Sequence, residues 1–418
     1  MGKIKFILIL AGFLSGLSAV AFDFEYEGLY YKILSTEEKT VEVTRPIDDN
    51  SNLGYTGEIV IPEYAKFGDE VYTVISVGES AFIHCDGITA ITISNTVKTI
   101  ESLAFQFRAK NIELHLGNSV EYIGDYSFRG ISLSNELVLP SSLKYIGSYA
   151  FDGLNASIIN IPSNVEFIGI RAFQSDSIQE YNVDSENRNY CSIDGVLFDK
   201  DATTIISYPM ARGDIHYKVP EGITAIGEWA FYAVKNLQTI DLPDSLTSIE
   251  NCGFYGCHLK SIVIPDNVNY IGQFGFSECI DLVSIEIPEL IDRIEWGTFI
   301  WCFELQKVTC KPLTPPYCNY WAFYDWLEPV WNTPLSKCTL YVPEESLELY
   351  MATFQWNEFG KIIGLPSSTG VESVNGMEDS HFSVYNLRGV NILNTTDKSE
   401  IRELPSGVYI INGKKVAL

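Results

Sequence analysis

The chain has 418 residues, 46% of them apolar, which is enough to bury a large core. Its 28 basic and 54 acidic side chains leave a formal net charge of −26. No Lys/Arg cluster offsets that field locally, so it repels phosphate backbones and anionic lipid, which excludes nucleic acid as a partner.

At the N-terminus, Lys3 and Lys5 precede an apolar run from Phe6 to Leu14, and small residues follow up to Ala19-Val20-Ala21. This is the pattern of a secretory signal peptide over 1–21, with Phe22 first after cleavage. The apolar run is too short to span a bilayer core of about 30 Å, and no other stretch is long and apolar enough to do so. The mature chain is therefore expected to be secreted or held on the outer cell surface, without a transmembrane segment.

A repeat follows. Phe82, Phe105, Phe128, Phe151, Phe173, Phe231, Phe254, Phe276, Phe299 and Phe323 stand 23, 23, 23, 22, 58, 23, 22, 23 and 24 residues apart. A fixed period in the twenties predicts a solenoid whose coils stack only on their neighbours, with an insertion inside the 58-residue gap. The spacing predicts a β-rich array of about ten coils of 22–24 residues.

One grammar recurs in each coil. In LQTIDLPDSLTSIENCGF, Ile240 and Leu242 alternate with Asp241 as a short half-buried strand does, and Pro243 ends it. A second extended segment turns Leu246 and Ile249 inward, and the repeat Phe plugs the coil end. Gly124, Gly147, Gly169, Gly227 and Gly272, each directly after the inward Ile, are expected to turn a tight corner with positive φ.

Phrases such as LPSSLKYIGSYAFDG, VPEGITAIGEWAFYAVKNLQTIDLP and IPDNVNYIGQFGFSECIDLVSIEIP resemble the BspA-like leucine-rich repeat family over about 73–365. The resemblance implies a right-handed, curved leucine-rich repeat solenoid of bacterial surface or secreted proteins, usually non-enzymatic and often linked to adhesion. FDFEYEGLYYKIL is similar to the family's N-terminal cap strands, which places a β cap at 22–72. LYVPEESLELYMATFQWNEF is similar to its terminal coil with a closing helix. The insertion, 184–218, resembles the β-meander that many members carry. Read from its residues, it holds an Asp194-Gly195 turn and two β-rich runs, CSIDGVLF and TTIISYP, as a hairpin would.

After the array, 366–380 reads as a linker and 381–418 alternates as a small C-terminal β segment. That segment resembles the sorting domain of proteins exported by the type IX system, with Val384 to Leu387, Gly389, Leu404 to Tyr409, Lys415 and Val416 at matching positions.

Nine cysteines bear on chemistry and redox state. Cys85, Cys257, Cys279 and Cys302 lie three residues after a repeat Phe, where other coils place Leu154, Val234 or Ile131. They are expected to be small packing residues, and the odd total leaves at least one thiol unpaired. Cys252, Cys257 and His258 have no second pair at metal-ligand spacing, so no metal and no cofactor is expected.

Aligning coils by their Phe puts Glu113 and Glu136 at one outward strand position on adjacent coils, with His115 two residues on from Glu113. A carboxylate pair about 5 Å apart is the geometry of a retaining glycosidase, so a solenoid glycan hydrolase or lyase is the alternative function. The sequence holds no G-x-S-x-G, H-E-x-x-H, P-loop or dinucleotide fingerprint, and the expectation is that it is not an enzyme.

The outward slot just before the buried Ile of the second segment holds Tyr122, Tyr145 and Phe167 on successive coils, then Tyr270 beyond the insertion. Aromatic stripes with polar rims suit stacking on sugars or packing on a protein. The sequence thus predicts a monomeric, non-enzymatic secreted or surface protein that binds a protein or glycan partner through these rings.

Overall fold

In a computed structural model, residues 22–46, 54–319, 321–324, 333–365, 382–385, 391–396, 400–401, 404, 408–411 and 414–417 are described. The expected signal peptide and linker lie outside them. The chain divides into two compact units, Met1–Lys200 and Asp201–Leu418.

The repeat phenylalanines form the spine of each unit. In the first, Phe82, Phe105, Phe128, Phe151 and Phe173 stack in sequence with ring centroids 5.0, 5.2, 5.3 and 5.5 Å apart. All five are buried. In the second, Phe231, Phe254, Phe276, Phe299 and Phe323 stack at 4.9 to 5.8 Å. Burying one such ring contributes about 1.5–3 kcal/mol, and a coil alone would leave both ring faces in water.

Two parallel ladders carry the backbone around that spine in the first unit. One starts with the antiparallel cap strands Phe24–Tyr26, Leu29–Ser35 and Thr40–Thr44. It continues in parallel through Glu70–Val77 and the two-residue strands Thr99–Ile100, Tyr122–Ile123, Tyr145–Ile146 and Phe167–Ile168. The other stacks Thr56–Ile61, Gly87–Ile93, Ala109–His115 and Ile131–Leu133, again in parallel. Ile158–Ile161 and Glu180–Val183 form a separate parallel pair.

The second unit repeats the plan. Thr204–Ser207, Ala225–Ile226, Ser248–Ile249 and Tyr270–Ile271 make one ladder. Ser261–Val263, Ser284–Ile287, Lys307–Cys310, Thr339–Pro343 and Lys361–Leu365 make the other. The six-residue helix Leu347–Ala352 lies between the last two of these strands, and the buried Trp356 donates Nε1–H to the Pro316 carbonyl at 2.9 Å. The C-terminal segment is a four-stranded antiparallel sheet of Phe382–Tyr385, Asn391–Thr395, Val408–Ile411 and Lys414–Ala417. Asn386, Leu387, Gly389, Pro405, Ser406 and Gly407 of the sorting-domain resemblance lie outside the described residues.

The structure corrects the expectation for the glycines. Gly124, Gly147, Gly169, Gly227 and Gly272 do not have positive φ. Each is glycine because the neighbouring coil leaves no room: a Cβ on Gly147 would sit 2.5 Å from the Asp125 nitrogen, and one on Gly169 would sit 2.4 Å from the Ser148 nitrogen. The left-handed residue comes two positions later, directly at the corner, at Tyr126 (φ 57°), Tyr149 (φ 56°), Arg171 (φ 55°) and Trp229 (φ 60°). A second left-handed residue follows the ring at Gly130 (φ 87°) and Gly153 (φ 89°).

The insertion carries the expected hairpin and turn. CSIDGVLF is a complete hairpin by itself, Tyr190–Ile193 against Val196–Asp199, turning at Asp194 (φ 49°) and Gly195 (φ 76°), the left-handed pair a two-residue hairpin needs. TTIISYP supplies Thr204–Ser207, which also pairs in parallel with Ala225–Ile226 of the second unit.

The coil count rises as well. Tyr208 lies 23 residues before Phe231, is buried, and stacks on it at 4.9 Å, so it occupies the ring position of a coil that the phenylalanine count of ten omits.

Two substitutions test the packing account. Gly147→Ala forces a methyl into the Asp125 backbone and should cost about 1–3 kcal/mol in urea unfolding. Gly213→Ala, with no atom within 4 Å of its added Cβ and no positive φ, should stay within about 0.5 kcal/mol.

Candidate functional site: aromatic rows on the outer face

Three of the four expected ring positions come together. The ladder sets Tyr122 opposite Tyr145 and Tyr145 opposite Phe167. Their rings stack at 4.6 and 4.7 Å with 14° between planes in each pair. Rings so close and so parallel turn their faces to one another and present edges and phenol hydroxyls outward. Phe167 ends the row and is 44% exposed. Tyr270, in the second unit, lies opposite Ser248 and is 38% exposed, and no described ring stacks on it.

The row has a charged border. Glu121 and Lys144, each one residue before its tyrosine, pair at 2.7 Å across adjacent coils. Burial raises the Tyr122 hydroxyl above its ordinary pKa, and Tyr145, Glu101 and Asp125 add to it. Burial likewise raises Tyr270, helped by Glu250, Glu295 and Glu228.

A second aromatic row was missed by the sequence reading. Tyr126 and Tyr149, at the left-handed corner, stack at 4.9 Å. Arg129 lies over the Tyr126 ring at 5.4 Å and Arg171 over the Tyr149 ring at 5.0 Å, at cation–π range. In the second unit Phe274 and Trp296 meet edge to face at 4.6 Å. The signal was available, because Tyr126, Tyr149, Trp229 and Phe274 all stand two residues before the repeat Phe.

The structure does not assemble the expected carboxylate pair. Glu113 lies opposite Ala90 on one side, and on the other the ladder joins Ala109 to Ile131 and Ile112 to Leu133, where the strand ends. Glu136 falls three residues beyond that end. The Glu113 carboxylate contacts His115 Nε2 at 2.8 Å, and Glu136 instead accepts from Asn160 Nδ2 at 3.5 Å. The alignment by Phe overlooked a register shift between Ile131 and Leu133.

Cys257, Cys279 and Cys302 are free buried thiols whose Sγ donates to the carbonyls of Val234, Phe254 and Phe276 at 3.5, 3.1 and 3.2 Å. Burial pushes Cys257 and Cys302 up to about 12, which keeps them protonated and unreactive. Among the described residues no group of three His, Cys, Asp or Glu side chains is placed to hold a metal. No described helix is long and apolar enough to cross a membrane.

Comparison with known proteins agrees with this architecture. A family profile described as the BspA type leucine rich repeat region matches six copies over 70–207 and 215–326, more than half of the chain. Among solved structures, the pneumococcal vaccine antigen PcpA is similar at 24% identity and a TM-score of 0.55, covering 83% of this chain and all of that one. A leucine rich cell surface protein from Faecalibacterium prausnitzii is similar at 21% identity and a TM-score of 0.53, covering 84% of this chain and 96% of that one. A leucine-rich repeat protein from Eubacterium ventriosum matches at 21% identity and 0.52, over 81% and 83%. These likenesses establish the fold. No curated protein matches the chain.

Beside the aromatic row, burial raises the Glu101 carboxyl above its ordinary pKa, and the carboxylates of Glu42 and Glu79 add to the shift. A carboxyl raised in the folded state costs no stability below its unfolded pKa of about 4.3, and its penalty grows as pH rises through the folded value. Glu101→Gln should therefore raise the thermal midpoint at pH 7 and leave it unchanged at pH 3.5, as measured by differential scanning fluorimetry.

Proposed function

We propose that this chain, which belongs to the BspA-type leucine-rich repeat family, is a non-enzymatic binding protein of the bacterial surface. Its inward residues are committed to the stack, so recognition falls to the outward rows. The observation that carries the proposal is the three-ring row Tyr122, Tyr145 and Phe167, a large aromatic area held on a rigid ladder. Pre-ordered rings lose little entropy when a partner covers them, and tyrosine is enriched among residues that dominate binding energy.

Between a protein and a glycan, the stacking geometry favours a protein. Sugars bind aromatic residues through an open ring face, and here both faces of Tyr145 and the inner faces of Tyr122 and Phe167 are covered by stacking, leaving only the two ends of the row. Ring edges and phenol hydroxyls suit the mixed apolar and polar surface of a protein. Tyr270, with its single ring, is a second contact point in the other unit.

Export through 1–21 and display by the sorting-like C-terminal segment complete this reading as an adhesion protein. The similarity to a leucine rich cell surface protein supports that location. The partner is a protein outside the cell, and the chain acts as a monomer.

A panel of immobilised, purified extracellular-matrix proteins provides the test. At least one should bind the full chain, and Tyr122→Ala/Tyr145→Ala/Phe167→Ala should weaken that binding tenfold or more with the fold retained by circular dichroism. Undiminished binding by the folded triple variant would remove the row from recognition.

A further inference from the structure

The outward row of the other ladder in the first unit breaks a local rule. Asparagine is poorly suited to a strand interior, yet Asn160 and Asn182 occupy outward mid-strand positions directly opposite one another on adjacent coils. Equivalent outward positions elsewhere hold Thr92, His115, Asp241, Val263, Glu286 and Thr309, and among the described residues only here do two amides face one another. Departures from local preference without a packing gain concentrate at functional sites.

These two amides line an open groove of about 460 Å³, within the range of small-ligand sites. Its origin is a gap in the ladder. Asn135 turns its side-chain amide onto the preceding coil, accepting from Leu114 N–H at 3.0 Å and donating to Leu114 C=O at 2.8 Å. Asn155 does the same to Leu133, at 2.6 and 2.9 Å. Side chains thus stand in for strand backbone, and 136–140 continue without strand pairing. Among the described residues, the strand Ile158–Ile161 pairs only with Glu180–Val183, so its other edge borders the groove.

The lining is chemically specific. Asn182 Nδ2 donates to Asn160 Oδ1 at 3.4 Å, and Asn160 Nδ2 donates to Glu136 Oε1 at 3.5 Å. Both contacts lie at the long limit of hydrogen bonding, and beyond them Asn160 keeps a donor and an acceptor site and Asn182 a donor and both acceptor sites. Asp184 bounds the same groove, and Val138, 69% exposed, lends it an apolar patch. No lining residue is basic.

We propose that this groove binds a neutral saccharide. Vicinal hydroxyls both donate and accept, matching an amide–amide–carboxylate row, and Val138 offers a surface for the C–H face of a pyranose. The carboxylates of Glu136 and Asp184 reject anionic sugars. The site is independent of the aromatic row, which belongs to a different sheet.

Titration of the full chain with cellohexaose, maltohexaose and mannohexaose, followed by NMR or calorimetry, tests the assignment. At least one should bind saturably, and Asn160→Ala/Asn182→Ala should weaken it tenfold or more. Tyr122→Ala/Tyr145→Ala should leave it unchanged, which separates this site from the protein-binding row. If the alanine pair melts early, Asn160→Asp/Asn182→Asp gives the same readout with side-chain shape preserved. The assignment is overturned if none of the three hexasaccharides binds, if a folded Asn variant binds as tightly as the parent chain, or if oligogalacturonate binds more tightly than all three.

Discussion

Successive coils approach one another as closely as strand pairing allows, and this spacing governs almost every other feature. It sets the repeat rings 4.9 to 5.8 Å apart, so that each phenylalanine is buried by the next. It removes the Cβ from Gly124, Gly147 and Gly169, where one would meet backbone at 2.4 to 2.5 Å. It also forces left-handed backbone at the corners, including at tyrosine, tryptophan and arginine. Left-handed conformation costs a non-glycine residue roughly 1–2 kcal/mol, and at Tyr126 and Tyr149 ring stacking and overlying arginines offset part of it.

The same spacing shapes the outer face. Like residues on adjacent coils must touch, so aromatic residues become stacked rows and carboxylates become repelling neighbours. Tyr122, Tyr145 and Phe167 therefore turn faces to one another where isolated rings would expose them. Glu42, Glu79 and Glu101 illustrate the electrostatic counterpart, a local cost within a chain of net charge −26. Where the ladder opens, at the substituted rungs of Asn135 and Asn155, the outer face acquires a groove.

Much of the architecture was legible because a repeat states the same packing problem many times. The phenylalanine period, the inward Ile and the strand-ending Pro each recur, so one accidental match carries little weight. Legibility failed where a residue kept its role and changed its type. Tyr208 holds the ring position with a hydroxyl that donates to Asp214 at 2.7 Å, and a search for phenylalanine passes over it. It failed again where one residue type serves two purposes: the corner glycines were assigned to backbone conformation, while contact with the neighbouring coil is what requires them. Glu113 and Glu136 were aligned by counting from Phe, and counting cannot register a shift between strands.

Taken alone, the sequence determined that this is a repeat protein, how long each coil is, which side chains face inward, and that the chain is strongly acidic. Those properties are local and periodic, and they follow from hydrophobic spacing and charge. Tertiary structure decided which outward residues meet. Whether Tyr122 shows a face or an edge, whether two glutamates share a site, and whether two asparagines border a groove all depend on the register between coils. Register is set by backbone hydrogen bonds between segments about 23 residues apart, including bonds that asparagine side chains replace. A sequence read coil by coil contains the residues of each row but not the alignment that brings them together.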